Sequence, residues 1–481
     1  MPVGFLSFKR LIGSACKAAS ECGSSLTPAL TSASAPPSPP TPATMAKKSF
    51  VCVLLLGLAF MLVFTGFQTQ GNMQQMVIDS IHKEDPSFNG SGYISLAVIY
   101  AVFATTNWVA PSALSLMGAK ATMLCGAVTY VAFVASFLWP QTWLLYLMSV
   151  LVGAGAALIW TAQGNYLTLV SDEATITRNS GVFWAMLQCS MVFGNIFVFY
   201  KFQGQETVDA QTRMVVFIAL TAVCVVGTVL MVFLPRPPPP PGPPTPSSPS
   251  QELIKSARLF KTPQMLLLCV TFLYTGFELS FFSGVYSSSL SFTLRFADPK
   301  MLVGLSGISI GCGEIVGGLI FGIFGTKTVK FGRDPIVLLG FFTHIICFFL
   351  IFLNVPNAAP LGETYDSNFL STGDPSVAVA LLCSFMLGFG DACYNTQIYS
   401  ILGSVYSDNS GPAFALFKFT QSLSAALCFF YSSVLSLHFH LLILVLFCCA
   451  GTLTFCVVEW SNAIKNRPVD SAKDDPEDKY S

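Results

Sequence analysis

Four ionisable side chains stand inside runs of apolar residues: Glu278 in "TFLYTGFELSFF", Glu314 in "SIGCGEIVGG", Asp391 in "LGFGDACY" and Lys418 in "FALFKFTQ". A charge at the middle of a bilayer is unfavourable by about 2.5–3.5 kcal/mol on insertion scales, so residues of this kind face a bundle interior or water and mark ion paths and proton relays. One base cannot neutralise three acids. At least two of the carboxyls must be protonated, pair with a bound cation or sit in water, which is the condition an ion-coupling site needs. Glu278, Glu314, Asp391 and Lys418 are its expected members. Plainer readings stand beside this one. Glu314 shares a helical stripe with Gly304, Gly307, Gly311, Gly318, Gly322 and Gly325, which suits a tight helix contact. Asp391 and Lys418 would suffice as a structural pair, and the stem of Lys418, close after Pro412, is long enough to snorkel to the surface.

These residues belong to a repeated pattern. "FTGFQ" (64–68) is answered by "YTGFE" (274–278), "GAGAALIWTAQ" (153–163) by "GFGDACYNTQ" (388–397), and "SGVFWAMLQ" (180–188) by "SGPAFALFK" (410–418). The three pairs keep their order, as an internal duplication requires. Gln68 stands against Glu278, Ala156 against Asp391 and Gln188 against Lys418, so membrane charge is confined to the second copy. The first copy offers neutral groups: Gln68, Asn107, Trp160, Gln163, Asn165 and Gln188. Trp160 and Gln163 lie three apart on one helical face, where an aromatic ring and an amide can stack on and hydrogen-bond a solute. Gln68, Trp160, Gln163, Gln188 and Tyr274 are the expected solute contacts, with polar adhesion between helices as the alternative for any one of them.

Composition dictates the elements that position these groups. Hydrophobic residues make up 53% of the chain and charged ones 10%, against about 25% charged in soluble domains. Apolar windows long enough to cross about 30 Å of hydrocarbon recur about twelve times between residues 49 and 460. The expected fold is an all-α membrane bundle of twelve helices in two six-helix halves, and the bilayer is its first partner. Expected boundaries are a disordered leader (1–45), a first bundle (46–234), a proline-rich linker in extended conformation (235–262), a second bundle (263–460) and a tail (461–481). If both termini are cytoplasmic, Lys47, Lys48, Lys120, Arg178, Arg236, Lys255, Arg258, Lys261, Lys327, Lys330, Arg333, Lys465 and Arg467 lie inside, and Lys83, Lys201, Arg213, Arg295 and Lys300 outside. The positive-inside rule selects that orientation. It places the sequon Asn89-Gly90-Ser91 in the first outer loop, where Asn89 is a glycosylation acceptor.

Other classes fall away. The 15 cysteines sit in the apolar runs, apart from Cys16 and Cys22 near the N-terminus, which implies no disulfide framework. The 4 histidines have no metal-ligand spacing, so neither a metal nor a cofactor is expected. No basic cluster suits nucleic acid. No nucleophile and base, and no phosphate-cradling glycine loop, suggests an enzyme.

The segments "FTGFQTQGN", "GSGYISLAVIYAVF", "IWTAQGNYLT", "SDEATITRNSGVFWAMLQ", "LSGISIGCGEIVGG", "FGRDPIVLLG", "GDACYNTQ" and "AFALFKFTQS" resemble the Unc-ninety-three-like branch of the major facilitator superfamily over nearly everything from Met45 to Trp460. The loops "LMGAKATMLCG" and "FGTKTVKFGRDP" are similar, in degenerate form, to the superfamily's gate loop. Gly332 and Arg333 match its end, and its central acid is absent. The resemblance implies a twelve-helix fold of two pseudosymmetric halves and two functions. One is secondary transport of a small solute by alternating access, coupled to a proton or cation through the buried carboxylates. The other is a non-transporting regulator or trafficking chaperone of another integral membrane protein. The expected location is the plasma membrane or an endolysosomal membrane.

Overall fold

In the computed structural model, residues 42–171, 176–203, 208–236, 249–328, 332–369, 374–406 and 410–465 are described. They form α1 (Pro42–Glu84), α2 (Gly92–Thr106), α3 (Ala110–Met117), α4 (Ala119–Ser136), α5 (Thr142–Leu169), α6 (Ile176–Phe202), α7 (Ala210–Val232), α8 (Pro249–Phe260) and α9 (Pro263–Ser280). A π-helical turn (Phe281–Tyr286) leads into α10 (Ser287–Phe292), followed by α11 (Pro299–Thr328), α12 (Asp334–Asn354), α13 (Val377–Val405), α14 (Ser410–Ser432) and α15 (Leu437–Lys465). Among the described residues, 11 helical segments are long and apolar enough to cross a membrane, and Gly92–Thr106 is a shorter apolar helix of the same series.

Local chemistry starts these helices. Ser91, Asp209 and Ser376 cap α2, α7 and α13 with side-chain oxygens that accept from Ile94, Thr212 and Val379 amides. Pro263 opens α9, where its missing N–H is not needed. Five boundaries depart from the sequence expectations. Helix α1 begins at Pro42, inside the expected leader, whereas residues 1–41 lie outside the described residues. The helix continues to Glu84 because Asp79, Lys83 and Glu84 find charged partners beyond the hydrocarbon. The second span breaks at 107–109, between α2 and α3, where Asn107 serves as a C-cap and Pro111 begins a new helix. The expected extended linker contains α8, since "QELIKSARLF" consists mostly of good helix formers behind an N-terminal proline. Residues 237–248 lie outside the described residues, and Ser461–Lys465 of the expected tail extend α15.

The helix contacts repeat with an offset of six spans. Helix α1 packs on α6 and α7 as α9 packs on α14 and α15. The α2–α5, α4–α5 and α4–α7 contacts are answered by α11–α13, α12–α13 and α12–α15. The two sets meet through α6 against α11 and through α14 against α2, again a matched pair. The tight turns repeat as well. Gly118, before α4, and Gly332, before α12, are the positive-φ glycines among the described residues, at φ 76° and 91°. A side chain there would strain the backbone.

Hydrogen bonds identify the two ends of the bundle. Ser49 Oγ donates to the Val170 carbonyl and Gln264 to Asn462, so the start of α1, the end of α5, the start of α9 and the end of α15 share one face, the terminal face. At the opposite face Arg213 pairs with Glu84 at 2.9 Å, and the loop after α12 is pinned by a bridge between Thr293 and Thr364. That bridge sets Glu363 beside Lys300 (2.9 Å) and Lys83 (2.7 Å).

Candidate functional site

Glu278, Glu314 and Asp391 come from α9, α11 and α13, and all three turn inward, with 1%, 5% and 6% exposure. The sequence explains how they approach. Gly276, two residues before Glu278, lies against α14 so closely that a Cβ would overlap the Gln421 carbonyl and the Ser424 hydroxyl. Gly388, three residues before Asp391, backs onto the Ile310 carbonyl and the Glu314 amide. The first glycines of the Glu314 stripe, Gly304, Gly307 and Gly311, receive α6 at Phe199, Asn195 and Met191. Small residues thus let the carbonyl-lined backbones close up, and the acids fill what is left.

Within this cluster Asp391 and Glu278 lie within side-chain hydrogen-bonding range of one another, and Glu314 acts on both through space. Asn395 donates to Asp391 Oδ1 at 2.7 Å. Glu278 Oε1 and Glu314 Oε2 are buried with no hydrogen-bond partner among the described residues. Lys418 is half-buried. Its ammonium donates to Gln421 Oε1 at 2.9 Å, lies over the Phe417 and Tyr399 rings, and reaches Asp391 only through space. Tyr274, expected among the solute contacts, is instead 0% exposed and bonded to His344 Nδ1 at 2.5 Å, and His344 Nε2 stands 3.5 Å from Glu278 Oε1.

The neutral groups of the first six spans form a second, looser set. Trp160 stacks on Trp184 of α6 with ring centroids 5.7 Å apart, and Trp184 meets Tyr399 of α13 edge-on at 5.5 Å. Since Tyr399 also lies beneath Lys418, an aromatic path joins Trp160 to the charged cluster. Gln163 is buried one turn beyond Trp160, and Gln68 accepts from Ser190 across the α1–α6 contact. The Gln188 Oε1 is buried and unpartnered among the described residues, as is the Asn107 amide nitrogen, while Asn165 is exposed. Asn89 lies on the exposed loop between α1 and α2.

Sequence reasoning passed over several of these participants. His344 lies in "GFFTHIICFF" without metal-ligand spacing, although a single imidazole in an apolar run is itself a signal. Glu459 answers Arg333 at the terminal face, with Arg333 Nη1 at 2.9 and 3.1 Å from its two oxygens and Nε donating to Ser400 at 2.8 Å. Asn72 of α1 bonds Asn195 of α6 (2.8 Å) and the Val303 carbonyl of α11 (2.9 Å), and accepts from Ser287 of α10. Among the described residues no group of His, Cys, Asp and Glu could hold a metal ion.

Comparison with known proteins adds a family context. The family described as "Ion channel regulatory protein UNC-93" matches residues 87–456. UNC93-like protein MFSD11 of Xenopus laevis is 45% identical over 427 residues, covering 85% of this chain and 95% of that protein. UNC93-like protein 3 of Arabidopsis thaliana is 27% identical over 82% of each chain, and protein unc-93 homolog A of Homo sapiens is 23% identical over 82% of this chain and 89% of its own.

Proposed function

The chain belongs to the UNC-93 family, and from that premise we propose that it is a secondary transporter that moves a small solute by alternating access, coupled to a proton or cation held by Glu278 and Asp391. One observation carries this reading: three inward carboxyls from three helices share one buried cluster, and the one ammonium near it, Lys418, is already engaged by Gln421. Two carboxyls in hydrogen-bonding range bond one another only when one holds a proton, so loss of that proton introduces a repulsion that favours separation of α9 and α13. The solute is read as lying along Trp160, Gln163 and Gln188, with Gln68 behind them and Lys418 at the far end of the aromatic path. Tyr274 belongs to the proton side.

Polar links between the first six spans and the last six gather towards the face opposite the termini: Lys83 to Glu363, Tyr93 to the Pro360 carbonyl at 3.1 Å, and Asn72 to Val303. In this reading that face is extracellular or lumenal and closed in this conformation, and both termini are cytoplasmic. The charge distribution supports the orientation. Lys120, Arg236, Lys255, Arg258, Lys261 and Arg333 gather at the terminal face, against Lys83, Arg213, Arg295 and Lys300 at the opposite one. The membrane is the plasma membrane or an endolysosomal one.

The test is solute-evoked proton flux in proteoliposomes with an entrapped pH indicator, screened across a solute library. Glu278→Gln should retain solute exchange and abolish the pH response, and normal coupling in that variant removes Glu278 from the mechanism. The family's designation as ion channel regulatory proteins favours a second reading, a regulator of another membrane protein. Crosslinking in native membranes would then recover a stoichiometric integral-membrane partner, and solute flux would be absent.

A further inference from the structure

We propose that His344 is a neutral hydrogen-bond toggle that reads the charge of Glu278 and transmits it to α13, an inference that rests on Glu278 gaining and losing a proton as read above. The imidazole is held on every side. It stacks on Phe348 at 5.5 Å and on Tyr394 at 5.9 Å, and Gly390 lies against its Nε2 edge so closely that a Cβ would overlap the ring. Its Nδ1 meets Tyr274 Oη at 2.5 Å, and its Nε2 faces both the Leu387 carbonyl at 3.2 Å and Glu278 Oε1 at 3.5 Å.

These partners select the tautomer. A carbonyl oxygen only accepts, so the Nε2 that faces Leu387 must carry the hydrogen, and Nδ1 then accepts from the Tyr274 hydroxyl. The single Nε2–H has two acceptors within reach and can satisfy one well. When Glu278 is protonated, Leu387 is the better acceptor, which is the arrangement seen here, with Glu278 Oε1 unpartnered. When Glu278 is ionised, the charge-assisted bond wins and Nε2–H swings to the carboxylate. The Leu387 carbonyl sits in the turn of α13 that precedes Asp391, so the charge on α9 is felt by the helix carrying the second carboxyl. No proton crosses the ring: Nε2–H changes acceptor and Tyr274 keeps its hydrogen. The other titratable groups facing this pocket are Glu314 of α11, Cys347 of α12, Asp391, Tyr394 and Cys383 of α13 and Cys448 of α15, and none of them meets Nε2 within hydrogen-bond distance among the described contacts.

The experiment combines two spectra of the full-length protein in nanodiscs. Nitrogen-15 NMR of the 4 histidines should show His344 neutral, with hydrogen on Nε2, through the titration. Infrared difference spectra should contain a carboxylic C=O band that disappears in Glu278→Gln. In His344→Phe that band's midpoint should move to higher pH by about one to two units, the worth of a hydrogen bond to a charged group, while His344→Gln, which keeps an N–H donor, should recover most of the shift. An unmoved midpoint in both variants overturns the toggle and leaves Glu278 as proton carrier. Absence of any band sensitive to Glu278→Gln instead overturns the coupling reading and the toggle with it. If His344→Phe does not fold, the wild-type nitrogen spectrum decides, because an Nδ1–H or doubly protonated ring excludes the scheme.

Discussion

Replacing Glu363 by glutamine removes the acid shared by Lys300 and Lys83, and the structure makes the consequences of the two pairs unequal. The Lys300 side chain is 3% exposed and that of Lys83 47%. A half-exposed pair is worth about 0–1 kcal/mol, but taking the partner from a buried ammonium leaves an uncompensated charge, at about 3–5 kcal/mol. Among the described residues Lys300 then keeps its bond to the Ser291 carbonyl, 3.3 Å, and the Phe292 ring. The expected loss is about 3 kcal/mol. With an unfolding entropy of roughly 0.9 kcal/mol/K for a chain of this size, Tm should fall by about 3 °C. A thiol-reactive fluorophore in detergent reports the transition, because cysteines such as Cys224, Cys347 and Cys428 are buried until the helices part. The sharper result comes from the double variant Lys300→Met/Glu363→Gln, which removes the stranded charge too and should be more stable than Glu363→Gln alone. A double variant whose loss equals the sum of the singles would refute the reasoning.

Glu363 should also confer acid sensitivity. Burial by itself raises its carboxyl, yet hydrogen bonds and attraction from Lys83 and Lys300 outweigh that and hold it below its ordinary 4.5. A carboxylate held low stabilises the fold above its ordinary value, and that contribution is lost as pH falls through the lowered one. Wild-type Tm should therefore decline below about pH 4.5 more steeply than that of Glu363→Gln, as read by the same fluorophore. Gly276→Ala places a Cβ against the Gln421 carbonyl, so α9 and α14 must part, with a loss of about 1–3 kcal/mol measurable as lower Tm. Asn89→Gln should raise the electrophoretic mobility of protein from glycosylating cells if the loop faces the lumen, and unchanged mobility with or without glycosidase removes that site.

The elements were more legible than their joints. Long apolar runs leave few alternatives to a membrane helix, which explains why 11 of the expected spans reappear as helices long enough to cross while the second is broken into α2 and α3. The ends were harder to read. The lengthening of α1 to Glu84 depends on Arg213 and Glu363, residues 129 and 279 positions away that no local pattern connects. Helix α8 was obscured by the prolines before it, though its own residues favour a helix.

The chemistry divides in the same manner. Sequence alone showed ionisable residues inside the apolar runs of the later repeat, because such a residue is conspicuous wherever the chain goes. Which charges meet was decided by packing: Gly388 lets α13 close onto α11 beside Glu314, Gly276 seats α9 on α14, three acids gather, and Lys418 is left with Gln421. The same approach turns an unremarked histidine into the nearest donor to Glu278, 3.5 Å away. Distance and direction between side chains on different helices are properties of the packed backbone. A one-dimensional pattern holds the residue types but not the angles at which they face each other.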